Sequence, residues 1–498
     1  MTLHLSIMLW LPALAGAVAL VLPRAAAGWT AFVGSMAALA YAIALLVDYD
    51  AGKGTLQYVT DEVWIEQLGI HYKLGVDGLN LALIALATLL FSACILWAVL
   101  EGRRERPGQF FAWLGLAHSA VLGALLAQDL LLFVLFFDLM LVPFFFLTGI
   151  WGSGDRVRAV VKLFIYTLVG SLLMLAGAIA LGVNSAPEVG TTFALSDLGR
   201  AVISEDQQRW IFLCFAAAFL VKMPAFPVHG WMPDGYRTMP LPVLAVFSAV
   251  LSKVAAYGFL RVVTPLLPDA TADFQTLMLL FALASILYGS VMAFTTTETR
   301  LILGYSSVAQ LGFILAGVFS LDDEGAQGAI LQSVNHGLVV VPAFFIVGLL
   351  AARAGGSQDL RDMGGTAFRA PILAALFLIV ALATLAMPGS ANFVGEFMIL
   401  FGVFETKIVI ALVAVTGVVL ASVYMLRMFI RAMHNRVGAG VDSQDIRFAD
   451  GLVLVPLVAV ILALALYPQV LLDKGEKTIP AQVQDAGRIA HPEIQVIR

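Results

Sequence analysis

Apolar residues run along most of this chain without the alternation of a strand or the charged stripe of a soluble helix, in blocks separated by short polar connections. A helix needs about 20 mostly apolar residues to cross a hydrocarbon core of about 30 Å. Such runs fall near 3–22, 29–47, 79–100, 111–127, 129–151, 159–183, 209–228, 240–265, 275–294, 301–319, 327–352, 371–403, 407–433 and 451–472. The pattern predicts an all-α membrane protein with fourteen transmembrane helices. An outer-membrane barrel is excluded, because its strands would show ten-residue segments of alternating polarity. Only 48–77 and 184–209 are long polar connections, and neither is large enough for a further domain.

Basic residues near the ends of spans set orientation. Arg103, Arg104 and Arg106, then Arg156, Arg158 and Lys162, then Arg353, Arg361 and Arg369, then Arg427, Arg431 and Arg436 fall in alternate connections, which should face the cytoplasm. The opposite set is acidic: Asp48, Asp50, Asp61, Glu62 and Glu66, then Glu188, Glu205 and Asp206, then Asp322, Asp323 and Glu324. A count of fourteen satisfies every loop at once and puts both termini on the outer side of the membrane.

Composition narrows the class further. With 61% hydrophobic and 12% charged residues, against roughly 25% charged in soluble chains, the sequence is neither a soluble enzyme nor a disordered chain. A net charge of −5 gives no basis for a nucleic-acid partner. Cys94 and Cys214 lie far apart in apolar runs, whereas an iron–sulfur cluster or structural zinc takes about four closely arranged ligands. Neither a cysteine-bound redox centre nor a disulfide is expected. The first run lacks a basic leader and a cleavage motif, so it reads as a membrane helix of a mature chain.

Against this background, four ionisable residues inside apolar runs stand out: Asp138, Lys222, Lys253 and Glu396. A charge at bilayer depth costs at least about 2.5 to 3.5 kcal/mol on insertion scales, so such groups face a bundle interior or a hydrated path. Two readings follow: isolated pairs that hold helices together, or a proton or ion relay. Lys222 is followed by Pro224 and Pro227, and Glu396 is preceded by Pro388 and Gly389. Each proline removes a backbone donor and breaks its helix at mid-depth. Paired breaks in corresponding places are the sequence pointer to a transport site. The breaks lie five spans apart, which predicts two five-helix repeats, 111–265 and 275–433. An odd number of spans per repeat makes the second inverted. Helices 1–3 lie within 1–110, a last helix at 451–472, and a polar tail at 473–498.

His336, on a helix face with Gln332, Ser333 and Asn335, could pass protons, since imidazole titrates near pH 6.5; it could equally be a neutral, hydrogen-bonded core histidine. His118 lacks a polar cluster, and His229 lies at a span end. No ligand spacing points to a metal, and no glycine-rich loop after a strand points to a nucleotide.

Assembled, these features resemble the M-subunit family of bacterial NADH:quinone oxidoreductase (respiratory complex I), among its antiporter-like proton-channel subunits. The resemblance runs from about Gly75 to Arg431. It rests on GVDGLN at 75–80, LMLVPFFFLTGIWG at 139–152, KLFIYTLVGSLLML at 162–175, FLVKMPAFPVHGWMPDG at 219–235, LSKVAAYGFLR at 251–261, GYSSVAQLGF at 304–313, VNHGL at 334–338 and PGSANFVGEFMILFG at 388–402. Glu396 points to the M type, because related types and Mrp antiporter subunits usually carry lysine there.

The resemblance implies a fourteen-helix channel subunit without a redox group of its own. In it Asp138 partners the channel lysine Lys222, Lys253 connects, His336 relays, and Glu396 is the outlet. Flavin, iron–sulfur clusters and quinone would belong to partner subunits, both membrane and peripheral. Three departures are visible: Asp138 replaces the family's glutamate, Gln310 its histidine, and Thr238-Met239-Pro240 its acidic EAP segment. Asp138, one methylene shorter, must draw closer to Lys222 or meet it through water. Alternatives are an Mrp-type sodium/proton antiporter subunit and the membrane module of a hydrogenase or ferredoxin-linked complex.

Overall fold

The computed structural model describes residues 4–102, 104–436, 441–442 and 444–493. Arg103 of the first basic connection, Leu3 at the start of the first run, and 494–498 of the tail lie outside the described residues. The chain opens with α1 (Leu5–Ala19) and α2 (Arg24–Asp48). The second helix starts directly after Pro23 rather than at 29, because three alanines, the best helix formers, extend it backwards.

The first long polar connection is a hairpin of β1 (Gln57–Ile65) and β2 (Ile70–Val76), antiparallel and closed by Gly69 in the left-handed region (φ 61°). It touches the second long connection, since Phe193 donates its backbone N–H to the Gly69 carbonyl at 3.3 Å. A Cβ on Gly69 would lie 2.0 Å from the Thr191 carbonyl oxygen, so the approach requires glycine.

Helices α3 (Leu81–Glu101), α4 (Pro107–Leu126), α5 (Leu130–Leu139), α6 (Leu141–Trp151) and α7 (Arg156–Val189) follow. A short α8 (Leu195–Leu198) leads to α9 (Glu205–Lys222), which stops at Lys222; the chain resumes as α10 (Met232–Thr238). The next apolar run is α11 (Leu241–Val246), α12 (Ser252–Gly258) and α13 (Thr264–Leu266), joined by π-helical turns at Phe247–Leu251 and Phe259–Val263. Then come α14 (Pro268–Thr295), α15 (Thr299–Phe319) and α16 (Asp323–Arg353). The run at 371–403 is two helices, α17 (Pro371–Thr384) and α18 (Ala391–Thr406), parted around Pro388. After α19 (Ile408–Met433) and α20 (Phe448–Leu466), the tail folds into α21 (Gln469–Gly475) and α22 (Thr478–Ala490).

Eleven helical stretches among the described residues, with 130–151 and 241–266 each taken as one, are long and apolar enough to cross a membrane. Helix α15 and the 241–266 run are buried throughout their apolar windows, whereas α2, α19 and α20 are buried over only a third of theirs. The exposed side of α7 carries Val161, Ile165, Val169 and Leu172, an apolar stripe at helical spacing that suits lipid. The buried Lys253, His336 and Glu396 lie on α12, α16 and α18, which pack in the interior with α15.

Candidate functional site: a buried polar array across two helix breaks

Asp138 is the penultimate residue of α5, where the helix gives way to α6. Pro143, five residues on, cannot donate to the carbonyl of Leu139, which loosens this junction. The Asp138 carboxylate accepts a hydrogen bond from the Ser171 hydroxyl on α7. Lys222 is 6% exposed and ends α9. Its ammonium donates to the Phe137 carbonyl and lies 3.4 Å from the Phe137 ring centroid. Among the described residues no Asp138–Lys222 ion pair forms within 4.0 Å. The shorter acid reaches Ser171 and interacts with Lys222 only through space.

The break after Lys222 frees backbone groups that neighbouring side chains satisfy. Trp231 Nε1 donates to the Val221 carbonyl at 2.9 Å, and the Phe226 N–H is taken by Ser285 Oγ at 2.9 Å. A helix can be interrupted in the interior only when such partners exist.

Lys253 lies on α12 just after the first π turn and is 2% exposed. Its Nζ donates to the Ser248 carbonyl, five residues back, at 3.1 Å and to Ser252 Oγ at 3.2 Å. A widened turn makes a carbonyl available to a side chain, a common use of π turns at functional sites. His336, on α16, is an electrostatic neighbour of Lys253 and has no hydrogen-bond partner at Nδ1.

One turn before His336, Gln332 opens a chain of amides. Its Nε2 donates to Gln310 Oε1 at 2.8 Å and to Glu396 Oε1 at 3.4 Å, and Gln310 Nε2 donates to the same Glu396 oxygen at 2.7 Å. Glu396 is 2% exposed on α18, and its Oε2 has no partner. Asn335 Nδ2 donates to the carbonyl of Ala391, at the start of α18, at 2.6 Å. The five sequence-marked residues thus fall into two groups: Asp138 with Lys222 at the first break, and Lys253, His336 and Glu396 along α12, α16 and α18.

Elsewhere, His118 sits among α2, α3 and α4, with Ser35 Oγ 3.2 Å from Nδ1 and Phe91 stacked on the ring. His229 lies in the first break against Tyr288, with ring centroids 4.8 Å apart. Sequence reading missed Ser171, a single hydroxyl in an apolar run with no signal of its own. It also missed the buried pair of Arg261 and Asp77, with N–O distances of 2.5 and 2.6 Å. Here a signal existed, since GVDGLN and LSKVAAYGFLR each carry one half of the pair.

Broken helices inside an apolar bundle, each bearing a buried ionisable group, point to an antiporter-like membrane subunit. Residues 127–421 match the family described as NADH:quinone oxidoreductase/Mrp antiporter, TM, and the chain belongs to that family. It is 33% identical to NADH-quinone oxidoreductase subunit M of Rhodobacter capsulatus, over 97% of this chain and 96% of that one. It is 36% identical to the subunit M of Escherichia coli K12, over 86% of each. Among solved structures, a chain of respiratory complex I from Thermus thermophilus with bound NADH is 30% identical, with a TM-score of 0.88 over 97% of this chain and 99% of that one. A chain of the Mrp complex from Dietzia shares the fold, at 22% identity and a TM-score of 0.84 over 100% of this chain and 99% of that one.

Proposed function

We propose that this chain is the proton-translocating M-type membrane subunit of a complex I-type NADH:quinone oxidoreductase. It takes no part in the redox chemistry, which flavin, iron–sulfur clusters and quinone perform in membrane and peripheral partner subunits. Its fourteen spans lie in a bacterial inner membrane with both termini outside. The units are helices 1–3 (1–110), two inverted five-helix repeats (111–265 and 275–433) and a final helix (451–472), followed by the tail.

The observation that carries the reading is the buried array itself. Lys222, Lys253, His336 and Glu396 are buried, with Asp138 half-buried beside the first of them, and a charge is seldom kept at such depth without work to do. Redox-driven movement in the partners shifts Asp138 against Lys222. An ammonium left without its counter-charge in an apolar setting sends its proton on through Lys253 and His336 to Glu396, whose unpartnered Oε2 is free to take it. Gln310 and Gln332 hold the other oxygen and do not titrate.

The test is proton pumping with coupled quinone reduction in membrane vesicles at equal complex content. Lys222→Ala and Glu396→Gln should each lower both by on the order of tenfold or more, as expected when a positioned proton-transfer group is lost. Normal pumping by both variants would leave only a structural role for these residues.

A further inference from the structure

We infer that Asp77, Arg261 and Tyr257 form a barrier to proton transfer that closes Lys253 off from the outer side of the membrane. The inference rests on the proton-carrying role proposed above. Lys253, Tyr257 and Arg261 succeed one another at four-residue intervals on the run 241–266, and the last two side chains meet: Arg261 Nε donates to the Tyr257 hydroxyl at 3.0 Å. At about 1.5 Å per residue, Arg261 lies roughly 12 Å beyond Lys253 along the axis. That is the end of the bundle where the GVDG turn, the β hairpin and α22 gather.

A proton hops only onto a group that offers a free lone pair and then gives up a proton of its own. Arginine has five donors and no acceptor. Arg261 Nη2 is fixed on both oxygens of Asp77, at 2.6 and 2.5 Å. The Tyr257 hydroxyl accepts from Arg261 and spends its own proton on the Leu125 carbonyl at 3.1 Å. Asn80 closes the side of the cluster, donating to the carbonyls of Gly75 at 3.0 Å and Leu125 at 2.9 Å. Asp77 is held in turn by the N–H groups of Leu79 at 3.1 Å and Asn80 at 3.3 Å. None of the four residues is more than 8% exposed.

The direction outward from Lys253 therefore offers a guanidinium that has no lone pair and is locked onto Asp77, and a hydroxyl already in use. A fixed arginine of this kind cannot take up a proton and pass it on. A proton on Lys253 is left with the lateral route to His336. A purely structural clamp would use the same bonds, but its loss would disturb assembly and not selectively open a leak.

Passive proton flux through the assembled complex in proteoliposomes separates the two. The flux is driven by a potassium diffusion potential with no electron donor present. Arg261→Gln, which removes the fixed charge and supplies an acceptor, should raise the flux several-fold, and adding Lys253→Met should bring it back. Arg261→Lys, which keeps the charge, should stay tight. An Arg261→Gln complex at normal content that leaks no more than the unaltered one overturns the inference, as does a leak that persists with Lys253→Met. If Arg261→Gln does not assemble, Lys253→Cys in a Cys94→Ala, Cys214→Ala background gives the reading: a charged thiosulfonate reagent added outside should leave it unlabelled, and labelling overturns the barrier. Failure of the proton-carrying role would look different, as normal pumping by Lys222→Ala and Glu396→Gln whatever the leak at Arg261.

Discussion

The two helix breaks hold a basic and an acidic group by different means. At the first, Lys222 is the last residue of α9, at the negative end of the helix dipole, which favours a cation. A backbone carbonyl and an aromatic face complete its setting. At the second, Glu396 is the sixth residue of α18, beyond the first turn in which a helix N-terminus favours an anion. It depends on side chains, Gln310 and Gln332, for its donors. Main-chain polarity serves the lysine, while the carboxyl needs amides brought by two other helices. The second site should therefore answer to substitutions in its neighbours, and the first chiefly to its acid.

The harshest way to break this comparison is to put a cation at the second site. Glu396→Lys sets an ammonium against two amide donors, and pumping should fall by on the order of 100-fold. Pumping at the normal rate would mean that the amides reorient freely and do not select the acid.

A smaller effect is expected at Asp138. Asp138→Asn keeps a hydrogen-bonding group for Ser171 but removes the counter-charge felt by Lys222, so pumping should drop several-fold, whereas Asp138→Glu should retain most of it. Equal activity of the asparagine variant in vesicles would take Asp138 out of the mechanism.

Gln310 sharpens the contrast further. Gln310→Leu removes a hydrogen bond to a carboxyl worth about 1.5–3 kcal/mol, and should slow pumping by roughly tenfold with little loss of assembled complex. Gln310→His, with a donor restored, should recover part of the rate. Identical rates for the leucine and histidine variants would show that the donor is irrelevant.

The mildest change is Trp231→Phe, which leaves the Val221 carbonyl without its donor at a cost of about 1 kcal/mol. It should lower the thermal midpoint of the complex slightly, measured by loss of activity on heating, while turnover at 25 °C stays near normal.

Much of this architecture was legible because hydrophobic length and proline placement are local properties. The stops at Lys222 and around Pro388 follow from the lost backbone donor. The π turns beside Lys253 were not legible, since nothing in FSAVL or FLRVV distinguishes an i+5 ladder from an i+4 one. The strands at 57–65 and 70–76 were hidden for another reason: a two-stranded hairpin is marginal alone, and its support comes from Gln128, Asp129 and Phe193, far along the chain. Gln310 registered as the absence of a titratable group, yet its role as a donor depends on Glu396, which lies on another helix.

Gly78 sets a condition on the order of biosynthesis. A Cβ there would stand 2.0 Å from the Lys474 carbonyl oxygen and 2.4 Å from Thr478 Oγ1, so the turn that presents Asp77 is roofed by backbone made after the last long apolar segment. Lys474 also reaches back to the Tyr49 carbonyl at 2.9 Å. Until the ribosome has delivered residues 474–478, the corner around Asp77 stands open to water. A nascent chain halted at the end of α20 should therefore exchange the amides of Leu79 and Asn80 quickly, and the finished one slowly.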